Sequence, residues 1–226
     1  MEQLFDKADE YDEMLNQGLK LSGESKEFFM IGRLELMKKH LPKGFSPKRI
    51  LDFGCGIGDT TEELARMYPE AEVVGIDTAE DALRFATENK SSDRISYETV
   101  DSFSTSDAFD LAYTNGVFHH IPLHLRDTSA KTVSRALKAG GYFAYFENNP
   151  WNPGTKMVMS RIAFDRDAIT LSYLESKRLL SQNGFSDVNT SRFAFYFPNA
   201  LKFLRPLEPA LETLPLGAQY LVLAKK

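Results

Sequence analysis

The sequence predicts an α/β fold in which helices cover both faces of a mostly parallel sheet. An apolar strand that begins at residue 49 runs into a turn with Gly54, Gly56 and Gly58, and a helix-like pattern follows. A second apolar run, residues 72–77, ends in a carboxylate. The order of strand, glycine-rich turn and helix is typical of the start of a nucleotide-type α/β domain.

The spacing of these glycines separates two kinds of nucleotide site. A dinucleotide fingerprint needs G-x-G-x-x-G. Its third glycine would fall on Asp59 when counted from Gly54, and on Thr61 when counted from Gly56. Glycine lets the backbone turn sharply and lets a ligand lie close to it. The turn therefore predicts main-chain contacts to a ligand without a pyrophosphate fingerprint, and a tight turn in an unrelated α/β protein is the alternative.

Asp77 ends the second predicted strand. A carboxylate at this position can accept hydrogen bonds from both ribose hydroxyls of a bound nucleoside. An ordinary strand-end aspartate that caps the next helix, which we expect to start near Ala79, is the alternative.

Composition limits the class of protein. The chain has 226 residues, a formal net charge of −5 and one cysteine. The acidic balance argues against a bulk electrostatic grip on nucleic acid, and one cysteine excludes an intrachain disulfide framework and favours a reducing compartment. Because no signal-peptide pattern and no apolar run of membrane-spanning length occur, we expect a cytoplasmic protein without a membrane span.

Further elements follow from periodicity. Residues 1–22 carry apolar side chains at helical spacing, and Ser25 is the expected N-cap of a second helix, from Lys26 to about Leu41. Residues 155–172 show no clear period. Residues 173–183 are expected to be helical, with Gly184 after the helix, and 185–197 and 217–224 read as two strands.

Several ordered motifs resemble those of the class I S-adenosylmethionine-dependent methyltransferases, in particular stand-alone bacterial enzymes that act on small molecules. They are Asp52 with the G-x-G-x-G turn, Phe-Asp-Leu at 109–111, His-His-Ile-Pro at 119–122, and Leu-Lys-x-Gly-Gly at 137–141. The resemblance covers about residues 46–150, and Ala139 replaces a frequent proline. It implies a Rossmann-like sheet of about seven strands with a C-terminal antiparallel pair and N-terminal capping helices.

The same resemblance implies one domain over residues 1–226. Residues 1–45 would form the N-terminal helices, 46–147 the cofactor-binding core, and 148–226 a substrate-side insertion and the C-terminal strands. The implied cofactor is S-adenosyl-L-methionine, with S-adenosyl-L-homocysteine as product. In this family the residue at the position of Asp101 meets the adenine amine, with Ser102 beside the ring, and Asn115 faces the cofactor. The expected cofactor-binding residues are Asp52, Gly54, Cys55, Gly56, Gly58, Asp77, Thr78, Asp101, Ser102 and Asn115.

The implied reaction is direct in-line displacement, in which a substrate oxygen, nitrogen or carbon takes the methyl group. We expect a small-molecule acceptor, or a glycan or lipid precursor, no nucleic acid partner, and a monomer or homodimer. A non-catalytic S-adenosylmethionine-binding regulatory or partner subunit remains the alternative.

Two histidines are the candidate catalytic groups. His119 and His120 follow the fourth strand of the expected fold, where an imidazole could take a proton from the acceptor. A packed, hydrogen-bonded role for at least one of them is the alternative. His120 and His124 are four residues apart, but no carboxylate or cysteine pattern completes a metal site, so we expect no metal.

Several aromatic residues and one short motif are further candidates for a functional role. Trp151 and the aromatic run at 193–197 could line a pocket or pack in the core. Tyr173 and Lys177 match the Tyr-x-x-x-Lys of short-chain dehydrogenases. The glycine pattern of that family would require a glycine at Asp52, so we expect Tyr-x-x-x-Lys to mark only the start of a helix.

Overall fold

The computed structural model describes residues 23–162, 165 and 168–226. A seven-stranded sheet has the order β3-β2-β1-β4-β5-β7-β6. Strands β1 to β5 pair in parallel, and β7 runs antiparallel to both β5 and β6. The strands are β1 Arg49–Phe53, β2 Glu72–Asp77, β3 Ile95–Thr99, β4 Phe109–Asn115, β5 Leu137–Asn148, β6 Asp187–Ala194 and β7 Gln219–Lys225. The predicted fold class is thereby confirmed.

Helices connect the strands and cover the sheet. Those described are α1 Lys26–His40, α2 Asp59–Met67, α3 Glu80–Lys90, α4 Arg126–Ala136, α5 Pro153–Met159, α6 Tyr173–Gln182 and α7 Glu208–Leu211. Short 3₁₀ helices occupy Leu123–Leu125 and Asn199–Leu207. Ser25 caps α1 as predicted, since its hydroxyl accepts from the backbone of Phe28.

Some boundaries differ from the predictions. Helix α4 ends at Ala136, and β5 begins at once at Leu137, so the Leu-Lys-x-Gly-Gly motif at 137–141 lies inside the strand. The pairing with β4 shifts there, from Phe109↔Leu137 to Leu111↔Tyr142. A β-bulge of this kind adds residues to one strand without ending the pairing. Glycines are common both in bulges and in turns, so the sequence alone does not distinguish the two.

Two further elements are too short or too irregular to be predicted from periodicity. Helix α5 has only seven residues, and Asn152 caps it by accepting from the backbone of Thr155. The 3₁₀ helix Asn199–Leu207 contains a kink at Leu201, so it has no single helical period. The helix predicted over residues 1–22 lies outside the described residues.

The apolar core lies on both faces of the sheet. Alternate residues of β5 divide between the faces, so that Phe143 and Tyr145 pack in one cluster and Ala144 and Phe146 in the other. Burial on both faces explains why the strands read as nearly continuous apolar runs. Among the described residues, no helix is long and apolar enough to cross a membrane.

Candidate functional site

A cavity of about 1720 Å³ lies at the carboxyl ends of the parallel strands. It borders the turn after β1, the ends of β2, β3 and β4, and side chains of α1 and α5. Strand β1 pairs with β2 on one side and β4 on the other. This is the point where the strand order reverses, and open α/β sheets bind their ligands there.

The glycine turn presents main chain to this cavity. Gly54 has φ 78° and donates its N–H to the carbonyl of Ile76 at 2.8 Å. A Cβ on Gly54 would lie 2.2 Å from Cγ2 of Val117. Both the positive φ and the space taken by Val117 require glycine here, and Gly54 itself lines the cavity.

Asp77 joins the end of β2 to the glycine turn. One carboxylate oxygen accepts from the N–H of Gly56 at 2.8 Å, and the other accepts from the N–H groups of Thr78 at 2.7 Å and Ala79 at 3.0 Å. The side chain thus holds the turn before α3, whose N-cap residue Ala79 has no side-chain cap. It also lines the cavity.

The structure divides the ten sequence-predicted cofactor residues into two groups. Six line the cavity and four lie outside its described lining. The lining group is Gly54, Gly56, Asp77, Thr78, Asp101 and Asn115, and the other group is Asp52, Cys55, Gly58 and Ser102.

The four residues outside the lining have local partners. Asp52 lies beneath the turn, 2% exposed, and accepts from the Thr61 hydroxyl at 2.7 Å. Burial raises its pKa to about 7, against the effect of the Thr61 hydrogen bond, and nearby Asp77 adds to the rise. Cys55 is buried, which raises the pKa of its thiol. The Ser102 hydroxyl donates to the carbonyl of Thr99 at 3.0 Å.

The fourth of these residues, Gly58, packs against an aromatic side chain. A Cβ on Gly58 would lie 2.4 Å from the hydroxyl oxygen of Tyr97. Gly58 therefore allows this tyrosine to close over the start of α2.

His119 and His120 lie on the opposite side of the turn, in a cluster with two carboxylates. His119 Nδ1 lies 2.5 Å from Glu147 Oε2, and its Nε2 lies 3.3 Å from Asp165 Oδ1. His120 Nε2 lies 3.2 Å from the same Asp165 oxygen. The histidines and Asp165 line the cavity, whereas Glu147 is fully buried behind His119.

The two carboxylates of this cluster favour the protonated, positively charged form of His119. Burial alone would lower the pKa of His119, but Glu147 and Asp165 outweigh it and raise that pKa to about 10. Burial alone would raise the pKa of Asp165, but hydrogen bonds from His119 and His120 lower it below its usual value. Both ring nitrogens of His119 are engaged, so the packed reading holds for this histidine.

Arg33 brings a buried cation to the cavity from α1. It is 9% exposed, and its Nη1 donates to Gln219 Oε1 at 3.1 Å. Gln219 Nε2 in turn donates to Asn115 Oδ1 at 3.3 Å. No carboxylate among the described residues forms an ion pair with Arg33, and its buried Nε has no hydrogen-bond partner there.

Sequence reasoning missed Arg33, Glu147, Asp165 and Gln219. Arg33 lies on the apolar face of α1, between Phe29 and Met37, and a cation in that position could have indicated a buried functional residue. Asp165 lies 46 residues from His119, so spacing along the chain could not join them. His124 is the histidine that spacing places near His120, whereas the structure pairs His120 with Asp165.

The remaining candidates are resolved by position. Trp151 is 45% exposed and packs edge-on against Tyr173, outside the described lining of the cavity. Tyr173 and Lys177 also lie outside that lining. Of the C-terminal aromatics, Phe193 is core, as the core alternative expected, while Phe195, Tyr196 and Phe197 line the cavity.

Comparison with known proteins gives a domain match over part of the chain. A family model described as a methyltransferase domain matches residues 50–141. Trans-aconitate 2-methyltransferase of Rhodopseudomonas palustris (strain BisB5) is 30% identical over 120 residues, which are 53% of this chain and 46% of the relative. The chain thus aligns with about half the length of this curated relative.

Solved structures of similar fold agree. An S-adenosylmethionine-dependent methyltransferase of Thermotoga maritima, described as a possible histamine N-methyltransferase, has a TM-score of 0.68 at 17% identity, with 99% of this chain and 97% of that chain covered. An S-adenosylmethionine-dependent methyltransferase of Mesorhizobium loti has a TM-score of 0.60 at 22% identity, with 86% and 98% covered. Residues 50–141 thus match a methyltransferase domain, and the fold of the chain is that of solved S-adenosylmethionine-dependent methyltransferases.

Proposed function

We propose that the chain binds S-adenosylmethionine in this cavity and transfers its methyl group to an oxygen, nitrogen or carbon of a small-molecule acceptor. One observation carries the proposal. The carboxylate of Asp77, the open main chain at Gly54 and Gly56, and the side chain of Asn115 all meet the cavity where β1 and β4 diverge. Open α/β sheets bind nucleosides at this switch point.

The adenosine half of the cofactor suits the end of β2 and the turn after β3. The carboxylate of Asp77 has about four acceptor positions, and three backbone N–H groups use some of them. Room remains for a ribose hydroxyl. Asp101 lines the cavity after β3 and offers an acceptor for an adenine amine. We propose that Asp52, Cys55, Gly58 and Ser102 support the loops without touching the ligand.

The methionine half carries a carboxylate that needs a cation. Arg33 supplies one beside the switch point, since Gln219 links it to Asn115. A buried guanidinium is costly unless it is paired. Arg33 lines the cavity and has no carboxylate partner among the described residues, so its guanidinium can bind a ligand carboxylate, and we propose that this is the methionine carboxylate.

The cavity has room for an acceptor beside the cofactor. Its volume of about 1720 Å³ exceeds the ~300–1,000 Å³ of a typical single-ligand pocket. Its lining includes the aromatic residues Phe195, Tyr196 and Phe197 and the histidines His119 and His120. We propose that the acceptor lies between them, with His120 facing it and His119 fixed by Glu147.

The chain's contribution to the reaction is positioning and exclusion of water. When bound, S-adenosylmethionine supplies an electrophilic sulfonium methyl group, which the acceptor atom attacks in line. Holding two reactants at attack distance can supply several kcal/mol, on the order of 7–11 at best. The aromatic wall lowers the local polarity around the reacting groups. These effects require no strong catalytic base.

Further parts of the proposal rest on composition. The net charge of −5 favours an acceptor other than nucleic acid, and the single cysteine, which is buried and unpaired, favours the cytoplasm. We propose a monomer or homodimer with one domain over residues 1–226.

A methyl-transfer screen tests the proposal. Wild-type protein and Asp77→Asn would be incubated with S-adenosylmethionine labelled in the methyl group and a panel of acceptors. The names of the relatives direct the panel towards trans-aconitate, other polycarboxylates, and amines such as histamine. We expect labelling of one acceptor class by the wild type and strongly reduced labelling by the variant. Binding of the cofactor without labelling of any acceptor would favour a non-catalytic binding subunit.

A further inference from the structure

Three side chains on the acceptor side of the cavity converge as metal ligands do. The nearest ligand atoms of His119, His120 and Asp165 all lie within 4.8 Å of one another. We propose that these residues bind a divalent first-row transition metal ion. The inference concerns metal binding by this chain and does not depend on methyl transfer.

The distances match the edges of a coordination polyhedron. The Nε2 atoms of His119 and His120 lie 3.3 and 3.2 Å from the same oxygen of Asp165. Charge-assisted hydrogen bonds between imidazolium and carboxylate are shorter, about 2.7–2.9 Å. Ligand atoms held about 2.0–2.1 Å from a tetrahedral ion are roughly 3.3 Å apart. The two separations from the Asp165 oxygen therefore suit ligands on one ion better than short charge-assisted hydrogen bonds.

Glu147 has the position of the carboxylate that commonly accepts a hydrogen bond from the second ring nitrogen of a metal-bound histidine. It lies 2.5 Å from Nδ1 of His119 and accepts from the N–H of Phe118 at 2.7 Å. Histidines that bind metals commonly donate their other nitrogen to a carboxylate, which fixes the ring and directs the free nitrogen at the ion. His119 Nε2 is directed at Asp165 in this way.

The charge of the cluster matches a divalent cation. Glu147 and Asp165 carry two negative charges, and neutral imidazoles add none. Both carboxylates are buried, at 0% and 7% exposure. Unbalanced buried charge is costly, so the cluster requires compensating positive charge. A divalent ion held by His119, His120 and Asp165 would supply that charge.

The segment that carries Asp165 is fixed to the segment that carries the histidines. The N–H of Ile169 donates to the carbonyl of His119 at 3.1 Å. Arg126 links the same two segments, because its Nε donates to the carbonyl of Ile121 at 3.0 Å and its Nη2 donates to the carbonyl of Ile169 at 2.6 Å. These bonds hold the main chain at Ile169, four residues after Asp165, beside the histidine segment before any ion arrives.

The ligand set indicates which ions to try. Two imidazoles and one carboxylate leave coordination positions free, as in catalytic zinc sites and non-haem iron sites. Because all three side chains line the cavity, these positions would face it. If the proposed methyl transfer is correct, an oxygen of the acceptor is the group that would occupy one of them.

Metal binding by the full chain without cofactor or acceptor tests the proposal. Zn²⁺ would be titrated by calorimetry, and Co²⁺ would report coordination by its visible absorption. We expect one ion per chain, at least about 10-fold weaker binding by Asp165→Asn, and a loss of about 10- to 100-fold for Glu147→Gln. His124→Ala is the matched control, since it removes an exposed histidine outside the cluster, and its affinity should equal that of the wild type.

Thermal unfolding would show whether each variant is folded, and His120→Gln at the edge of the cluster replaces Asp165→Asn if the latter does not fold. Two results would overturn the proposal. One is the absence of stoichiometric Zn²⁺ or Co²⁺ binding by the folded wild type. The other is a metal affinity that is the same in the cluster variants as in His124→Ala. Neither result bears on cofactor binding, so failure here is distinct from failure of the proposed function.

Discussion

The carboxylate of Asp77 accepts a hydrogen bond from the main-chain N–H of Gly56 at 2.8 Å. This contact joins the tip of β2 to the turn after β1, 21 residues earlier in the chain. The two segments that we propose to hold the ribose and the methionine are thereby fixed relative to each other before a ligand binds. Asp77 consequently has both a structural and a proposed binding role.

Replacement of Asp77 should therefore affect both properties. We expect Asp77→Asn to weaken S-adenosylmethionine binding by at least 10-fold, because an amide replaces one acceptor oxygen by an N–H₂ donor and cannot accept from all three backbone N–H groups and a ribose hydroxyl. Asp77→Ala should also lose about 1–3 kcal/mol of unfolding free energy, since three backbone N–H groups lose their acceptor. Calorimetry and urea unfolding measure the two effects.

Asp93→Ala is the matched control for Asp77. Asp93 is an exposed aspartate before β3, at the end of the strand opposite the cavity. It should leave both binding and stability unchanged. Wild-type affinity in Asp77→Asn would remove Asp77 from the proposed site.

Two glycines with the same backbone conformation separate strain from steric conflict. Gly54 and Gly44 both have φ 78°, but a Cβ on Gly54 would lie 2.2 Å from Val117, whereas a Cβ on Gly44 would meet nothing within 4 Å. We expect Gly44→Ala to lose about 1 kcal/mol from strain alone. Gly54→Ala should lose about 2–4 kcal/mol, because overpacking adds to it. Equal losses in thermal unfolding would show that Val117 yields without cost.

Asp52 should make stability depend on pH. Its pKa in the folded chain is about 7, against about 3.9 for an unfolded aspartate. Between these values the folded chain holds a proton that the unfolded chain has lost. The free energy of unfolding should therefore fall as pH rises from about 4 to about 7, by up to about 1.4 kcal/mol per pH unit from this group.

Asp52→Asn removes this ionisation and keeps an oxygen for the Thr61 hydroxyl. Its unfolding free energy relative to wild type should increase with pH over the same range and level off above about pH 7. Denaturant unfolding of both proteins from pH 5 to pH 8 measures the difference. Parallel curves would mean that Asp52 is ionised throughout.

Arg33 should recognise the cofactor by its carboxylate. Hydrogen bonds to charged groups contribute about 1.5–3 kcal/mol, so Arg33→Gln should bind S-adenosylmethionine roughly 10- to 100-fold more weakly. Decarboxylated S-adenosylmethionine should bind the wild type weakly and the variant no worse. Lys38→Gln removes an exposed cation from the same helix and should change neither affinity. A preference for the carboxylate that survives in Arg33→Gln would assign Arg33 to another ligand.

The sequence was sufficient for the features that depend on neighbouring residues. Alternation and apolar runs located β1, β2 and β4, because strands buried on both faces have few other patterns. The glycine turn and Asp77 were found from spacing alone, and both reach the cavity. The position of Ser25 as a cap was likewise a local property.

Features made by distant contacts could not be read in this way. Asp52 and Asp77 are similar carboxylates at strand ends, yet only the fold shows that Thr61 covers the first and the cavity opens at the second. Asp165 meets His119 only because α4 and β5 intervene and return the chain. Arg33 stands out only when its burial is known.

Calorimetric titration of the wild-type chain with S-adenosylmethionine and S-adenosylhomocysteine, with NADH as the control, tests the central claim most directly. The account predicts one molecule of either adenosyl ligand per chain with a micromolar Kd, and no binding of NADH. Binding of NADH, or of none of the three, would contradict it.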